Sequence, residues 1–228
     1  RSRGLGDVYK RQLFTGMAVY LHDGFESMDV LRALREGGVS VTSLVPTMLH
    51  RLLEADPSWN SQAAPALRAI LLGGAAAPDS LWDEALRRGL PLLGTYGLTE
   101  SCAQVATGSP LSVSEDARTA GRPLRGIDLQ IRDDTGSALP PGVEGEIVLR
   151  GAMLARGYHG ASAEEQRKFS GGWFRTGDIG RLDADGRLTV SARREDMIVS
   201  GGENVDPSEI ETVLLLSLIH ISEPTRPY

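Results

Sequence analysis

The chain has 228 residues, 41% of them hydrophobic and 24% charged, with a formal net charge of −6. That is the composition of an ordinary soluble globular protein of one large or two small domains, and its acidic balance argues against the basic face a nucleic-acid binder needs. A single cysteine, Cys102, excludes an intrachain disulfide and suits a reducing compartment, which points to the cytoplasm; no apolar run reaches the ~20 residues of a membrane-spanning helix.

The two ends differ from the rest. Ser2–Gln12 reads SRGLGDVYKRQ and Ser217–Arg226 reads SLIHISEPTR. The second can be back-translated as TCT CTT ATA CAC ATC TCC GAG CCC ACG AGA, whose opposite strand encodes RGLGDVYKR. Two unrelated termini should not be legible from the two strands of one short DNA. Residues 1–12 and 216–228 are therefore expected to be read-through artefacts around a native segment of roughly 13–215.

In chain order, Met17–Leu21 reads as a short apolar strand. Met28, Leu31 and Leu34 recur at helical spacing, and Gly37-Gly38 stops that helix. Val39–Val45 reads as a strand. Pro46 suits the first turn of a helix carrying Met48, Leu49, Leu52 and Leu53. Leu67–Leu72 is a buried strand ended by Gly73-Gly74, Asp79 can cap a helix through Arg88, and Pro91–Leu93 begins the next strand. Strands alternating with helices at this spacing predict a parallel α/β layer over 13–111.

From about Ser112 the helical periodicity fades and turn signals multiply, at Asp134-Thr135-Gly136, Pro140-Pro141-Gly142 and Ala184-Asp185-Gly186. Between them lie short strands, Asp128–Arg132, Glu146–Arg150 and Leu188–Ser191, interrupted by a helix at Ser162–Phe169. Residues 112–192 are expected to form a barrel-like β-rich subdomain. Ser200-Gly201-Gly202 marks a loop, and Asp206 can cap a helix over Pro207–Leu215.

Four segments carry chemistry. In Gly73-Gly74-Ala75-Ala76-Ala77-Pro78, small residues after a strand let a flat ligand approach the backbone; by itself the segment reads equally as a plain strand-to-helix turn. In Thr95-Tyr96-Gly97-Leu98-Thr99-Glu100, a ring, a hydroxyl and a carboxylate gather where open α/β sheets bind ligands. A tyrosine face can stack on a base, a threonine can donate to a phosphate, and a glutamate can hold Mg²⁺. In Thr176-Gly177-Asp178 a carboxylate after a glycine turn can accept both hydroxyls of a ribose, although turn aspartates are common. The fourth segment runs from Ala192-Arg193-Arg194-Glu195 to Gly201-Gly202-Glu203-Asn204-Val205 and reads alternatively as a charged surface turn.

No segment decides the matter singly, but their order and spacing do. Together with Gly145-Glu146-Ile147, Ala155-Arg156-Gly157-Tyr158 and Glu209-Ile210-Glu211, the chain resembles the adenylate-forming superfamily of acyl-CoA synthetases, peptide-synthetase adenylation domains and luciferases. The resemblance spans residues 13–215. Within it, Val41–Leu49, Leu71–Gly74 and Thr95–Thr107, above all Ser101–Thr107, resemble the o-succinylbenzoate–CoA ligases of menaquinone biosynthesis.

The resemblance implies a fold: the C-terminal part of the large domain, a hinge at 193–196, and the start of the small domain at 197–215. It implies a reaction in two steps, with ATP, Mg²⁺, a small carboxylic acid and coenzyme A as reactants. By motif position, Tyr96 and Gly97 fall beside the adenine, and Gly73, Gly74 and Ala75 beside adenine and acyl group. Thr99 contacts the α-phosphate, Glu100 holds Mg²⁺, and Asp178 and Arg193 hold the ribose. Glu195 falls at the hinge about which family members rotate the small domain. Gly201 and Gly202 fall in the loop lining the coenzyme A channel. Ala192 departs from the glycine usual before the hinge arginine, a change expected to have a mild effect.

The superfamily's phosphate loop and the small domain's lysine belong outside 13–215, and the two lysines present, Lys10 and Lys168, fit neither role. The chain alone is therefore expected to be inactive. An aryl- or fatty-acyl-CoA ligase, or a non-catalytic nucleotide-binding remnant, remain as other readings.

Overall fold

Apolar spacing and proline placement lay out the first half. The computed structural model describes residues 16–109, 118–193, 198–200 and 203–205. Helix α1 (Ser27–Glu36) buries Val30, Leu31, Ala33 and Leu34, and its last turn is closed by the Gly37 amide on the Ala33 carbonyl. Strand β1 (Val41–Leu44) leads into α2 (Pro46–Ala55), where Pro46 stands at the first helical position, which needs no amide donor. Strand β2 (Ala69–Leu72), helix α3 (Asp79–Arg87) and strand β3 (Leu92–Leu98) follow. Leu31, Leu49, Leu52, Trp59, Ile70, Leu90 and Leu92 are fully buried in one cluster between helices and sheet.

Strands β1, β2 and β3 pair in parallel, as the alternation of strands and helices predicts. The sheet then turns mixed. Strand β4 (Ala103–Thr107) pairs antiparallel with β3, and β5 (Arg122–Pro123) pairs antiparallel with β4. Both strands were absent from the sequence reading, because β4 lies within a motif read for its chemistry and β5 has only two residues.

The β-rich half is a four-stranded antiparallel sheet, β6 (Ile127–Arg132), β7 (Gly145–Gly151), β8 (Phe174–Leu182) and β9 (Leu188–Arg193), in that order. A short helix, α4 (Ala163–Gln166), sits between β7 and β8. A hairpin of β10 (Ile198–Ser200) and β11 (Glu203–Val205) forms a separate two-stranded sheet. A second buried cluster joins Tyr96, Val105 and Ala106 of the first sheet to Ile127, Ile147, Leu149, Phe174 and Leu188 of the second. Two backbone bonds tie the same junction, Ala120 N to Leu188 O at 2.7 Å and Leu188 N to Gly121 O at 2.8 Å.

Four expectations need correction. Met17–Leu21 is not a strand: a strand needs a partner for its backbone groups, none faces it among the described residues, and Met17, Tyr20 and Leu21 are exposed. Met28 points outward, and Val30 and Ala33 complete the buried face instead. Asp79 does not cap α3; Pro78 holds the cap position, and the Asp79 carboxylate accepts from Arg118 Nη1 at 3.0 Å. Asp178 does not follow a turn but lies inside β8. Glu195, expected at the hinge, Gly201 and Gly202, expected in a loop, both chain ends and the helix expected at Pro207–Leu215 fall outside the described residues.

Candidate active site

Backbone proximity builds one side of the site. Gly73 and Gly74 follow β2 directly; Thr95 on the neighbouring β3 lies against Gly73, and Val45 lies against Gly74. A Cβ on Gly73 would sit 2.3 Å from Thr95 Oγ1, so only glycine permits this approach. Ala75 is exposed. Gly97 rests on the Ala103 carbonyl across the β3–β4 pair, where the register shifts between Tyr96 and Gly97.

After β3 the chain makes a 3₁₀ turn, Thr99–Ser101, that leaves Thr99 exposed and Glu100 half-buried. Ser101 is fully buried and staples the turn. Its hydroxyl accepts from Leu98 N at 3.1 Å and faces the carbonyls of Leu98 at 2.9 Å and Ala103 at 3.0 Å. Cys102 and Ala103 then adopt φ of 59° and 111°, a conformation non-glycine residues rarely hold, at the end of the motif singled out for phosphate chemistry.

Asp178 approaches from the other sheet. Opposite β7, strand β8 bulges over Thr176-Gly177-Asp178, with Gly177 at φ +78°. The bulge is held from beneath. Thr176 Oγ1 donates to Ile147 O at 2.8 Å and accepts from Asp178 N at 3.0 Å, and the Gly177 amide donates to the buried Glu146 carboxylate at 3.3 Å. Arg175 neutralises Glu146, with Nε at 3.0 Å, and that hydrogen bond holds the Arg175 guanidinium above its usual pKa. The bulge turns Asp178 toward the first sheet, where Tyr96 Oη donates to Asp178 Oδ2 at 2.6 Å, bridging 82 residues of chain. Both side chains are buried, at 8% and 5% exposure. Arg193 is the register partner of Asp178 on β9.

Glu100 has a partner that the sequence reading quoted without a role. Tyr158 Oη donates to Glu100 Oε1, and Ala155 N donates to Glu100 O at 2.7 Å. Glu146, Tyr158, Thr176 and Ser101 all lie in or beside the motifs that carry the family resemblance. A pairing signal is visible only for Glu146, a carboxylate directly before the apolar run Ile147–Leu149. Two surface concavities of about 490 and 440 Å³ are lined by Tyr20–Gly37 and by Arg150–Phe174 residues, and neither is lined by Tyr96, Glu100 or Asp178.

The arrangement brings together an aromatic ring with a carboxylate, and a second carboxylate on an exposed turn. Among the described residues no three His, Cys, Asp or Glu side chains cluster as a metal cage. A lone glutamate is the donor set expected for Mg²⁺ shared with substrate phosphates, since that ion keeps waters and takes only one or two carboxylates.

Residues 12–159 match the family described as AMP-binding enzyme. The chain is 42% identical over 212 residues to a 2-succinylbenzoate–CoA ligase of Bacillus licheniformis, covering 93% of this chain and 43% of that protein. It is 37% identical over 211 residues to an indoleacetate–CoA ligase of Aromatoleum aromaticum, covering 92% and 41%. Among solved structures, o-succinylbenzoate CoA synthetase from Bacillus subtilis with its acyl-adenylate intermediate superposes with a TM-score of 0.81 at 38% identity, over 92% of this chain and 42% of that one. The same enzyme with ATP and magnesium ion gives 0.80. This chain belongs to the AMP-binding enzyme family, and it spans less than half the length of these relatives.

Proposed function

We propose that this chain is the nucleotide-binding part of an AMP-forming acid–CoA ligase working in the cytoplasm, with o-succinylbenzoate as its acid. A carboxylate is a poor acyl donor until one oxygen joins a good leaving group. Its attack on the α-phosphate of ATP forms the acyl–AMP anhydride and releases pyrophosphate. The coenzyme A thiol then attacks the acyl carbon, the thioester forms, and AMP leaves with the C–O bond electrons. The protein's part in the first step is positioning and charge neutralisation.

The observation that carries this reading is the Tyr96–Asp178 hydrogen bond, because residues assigned to base and sugar from separate motifs meet at one point. Asp178 is a buried carboxylate held beside the ring assigned to the base, and a carboxylate is the acceptor that ribose hydroxyls need. By motif position Arg193 is assigned to the sugar, Gly73, Gly74, Ala75 and Gly97 to the walls of the base and acyl sites, and Thr99 to the α-phosphate. Bound Mg²⁺ supplies charge neutralisation on the phosphates, and Glu100 is the residue that would hold it. Glu195 as hinge and Gly201 and Gly202 as channel loop remain assignments from motif position. The o-succinylbenzoate assignment is supported by the ligases similar to this chain at 42% and 39% identity.

The test is turnover by the full-length protein with ATP, Mg²⁺ and coenzyme A. AMP and thioester are expected with o-succinylbenzoate, at higher kcat/KM than with indoleacetate or ferulate. Preference for either aryl acid overturns the substrate assignment, and absence of AMP with every acid overturns the ligase assignment.

A further inference from the structure

The helix that interrupts the β-rich half has no part in either sheet. Its start is fixed locally: Ser162 and Glu165 form a reciprocal cap, with Ser162 N to Glu165 Oε2 at 2.8 Å and Glu165 N to Ser162 Oγ at 3.3 Å. What the helix holds is Tyr158. Gln166 Nε2 donates to Tyr158 O at 2.8 Å. Phe169, in the turn that follows, packs edge-on against the Tyr158 ring at 5.4 Å and against Phe174 of β8 at 4.6 Å. Gly157 is pressed on the same glutamine; a Cβ there would lie 2.5 Å from Gln166 Oε1.

Tyr158 is thus fixed at its backbone and at its ring, and its hydroxyl reaches across 58 residues to Glu100. The segment from Gly151 to Tyr158 grips Glu100 twice, since Ala155 N also holds its carbonyl at 2.7 Å. A half-buried glutamate on an exposed turn otherwise samples several rotamers. Holding one oxygen by a fixed donor restricts the other to one direction.

We propose that Tyr158 is the positioning residue for Glu100, and that the Ser162–Phe169 element exists to hold it. This rests on the assignment of Glu100 to the Mg²⁺–phosphate group. Tyr158 acts through Glu100: a donor on one oxygen fixes the carboxylate plane and leaves the second oxygen for the cation. Partners of this kind typically change metal affinity 10–100-fold when removed.

The test is calorimetric titration of ATP into the full-length protein across a Mg²⁺ series, beside AMP without metal. Tyr158→Phe keeps the ring on Phe169 and removes only the donor. The Mg²⁺ concentration that half-saturates ATP binding should rise about tenfold, with AMP affinity unchanged. In a Glu100→Gln background, itself blunted in Mg²⁺ dependence, Tyr158→Phe should add nothing. Gln166→Ala, which frees the Tyr158 backbone, should move the Mg²⁺ requirement in the same direction by less, and serves if Tyr158→Phe fails to fold. If Glu100→Gln blunts the Mg²⁺ dependence and Tyr158→Phe does not raise the requirement, the inference is wrong and the assignment of Glu100 stands. Equal losses of AMP and Mg²⁺–ATP affinity in Tyr158→Phe make Tyr158 a structural prop and overturn the inference. Unaltered Mg²⁺ dependence in Glu100→Gln overturns the assignment of Glu100, and the inference with it.

Discussion

Asp178 has an observed contact and a proposed role that substitutions can separate. It accepts the Tyr96 hydroxyl in a buried site, and it is assigned to the ribose. Asp178→Ala removes both. Hydrogen bonds to charged groups contribute about 1.5–3 kcal/mol each, and a buried donor losing its partner costs about 1–3 kcal/mol. Asp178→Ala should therefore weaken AMP binding at least tenfold and lower the melting temperature. Asp178→Asn still offers Tyr96 an oxygen but no charge, so it should lose affinity while retaining most of the stability. Calorimetry against AMP paired with thermal melts checks both. Equal melting losses in the two variants would mean the charge itself, and not the acceptor, stabilises the bulge. That Asp178 was legible from sequence owes to its motif; its partner was not, because no local pattern reports a contact across 82 residues.

At the scale of elements, two turns of the β-rich half use one device. Asp133 Oδ1 accepts from Thr135 N at 2.9 Å, Thr135 Oγ1 at 2.6 Å and Ser137 N at 2.9 Å. Asp183 Oδ1 accepts from Asp185 N at 2.9 Å and Arg187 N at 2.8 Å. In both, the amide of the glycine three residues on donates to the aspartate carbonyl at 3.0 Å, with Gly136 and Gly186 at φ of 87° and 76°. The Thr135 hydroxyl, then the Ser137 amide, hold Asp133 below the usual aspartate pKa of 3.8. For Asp183, partial burial pushes upward, but the Arg187 amide and guanidinium and the Asp185 amide outweigh it, and the net shift is downward.

A folded-state pKa below the unfolded one contributes stability that is complete above the unfolded value and is lost as pH falls through the folded value. The loss should therefore begin near pH 3.8, the ordinary value for both groups, and not at neutral pH. Asp133→Asn and Asp183→Asn should each show a melting deficit that is constant above that pH and shrinks below it. A deficit that persists unchanged into acid would make the turns' contribution purely geometric. The sequence marked these turns by Thr135-Gly136 and Asp185-Gly186 but passed over the aspartates that begin them. The helices of the first half were legible from periodicity, since each buries one face, and β2 from its continuous apolar run. Strand β8 was not, because Gly177 within it reads as a turn residue until the partner strand absorbs the bulge.

For the whole molecule, the decisive feature is the seam. Tyr96, Val105 and Ala106 come from the mixed sheet, and Ile147, Phe174 and Leu188 from the antiparallel one, yet they share one buried cluster. Tyr96 and Asp178 close that seam at the site. A nucleotide bound there touches both sheets, so binding and cohesion of the two halves should be linked. Leu188 is fully buried in the cluster, and its backbone carries both bonds to the Ala120–Gly121 segment. Leu188→Ala should cost about 2–5 kcal/mol, through lost burial and the cavity left behind. A ligand that binds only the folded state at a hundred times its Kd returns about 2.7 kcal/mol. AMP at that excess should therefore offset much of the Leu188→Ala deficit, and the melting temperature of the variant should climb with AMP concentration. Combining Leu188→Ala with Asp178→Asn should abolish the climb at the same AMP concentration, because the weakened site is then far from saturated. Thermal melts of the full-length protein over an AMP series decide it. An undiminished climb in the double variant would place AMP binding away from Asp178 and dissolve the link between the seam and the nucleotide.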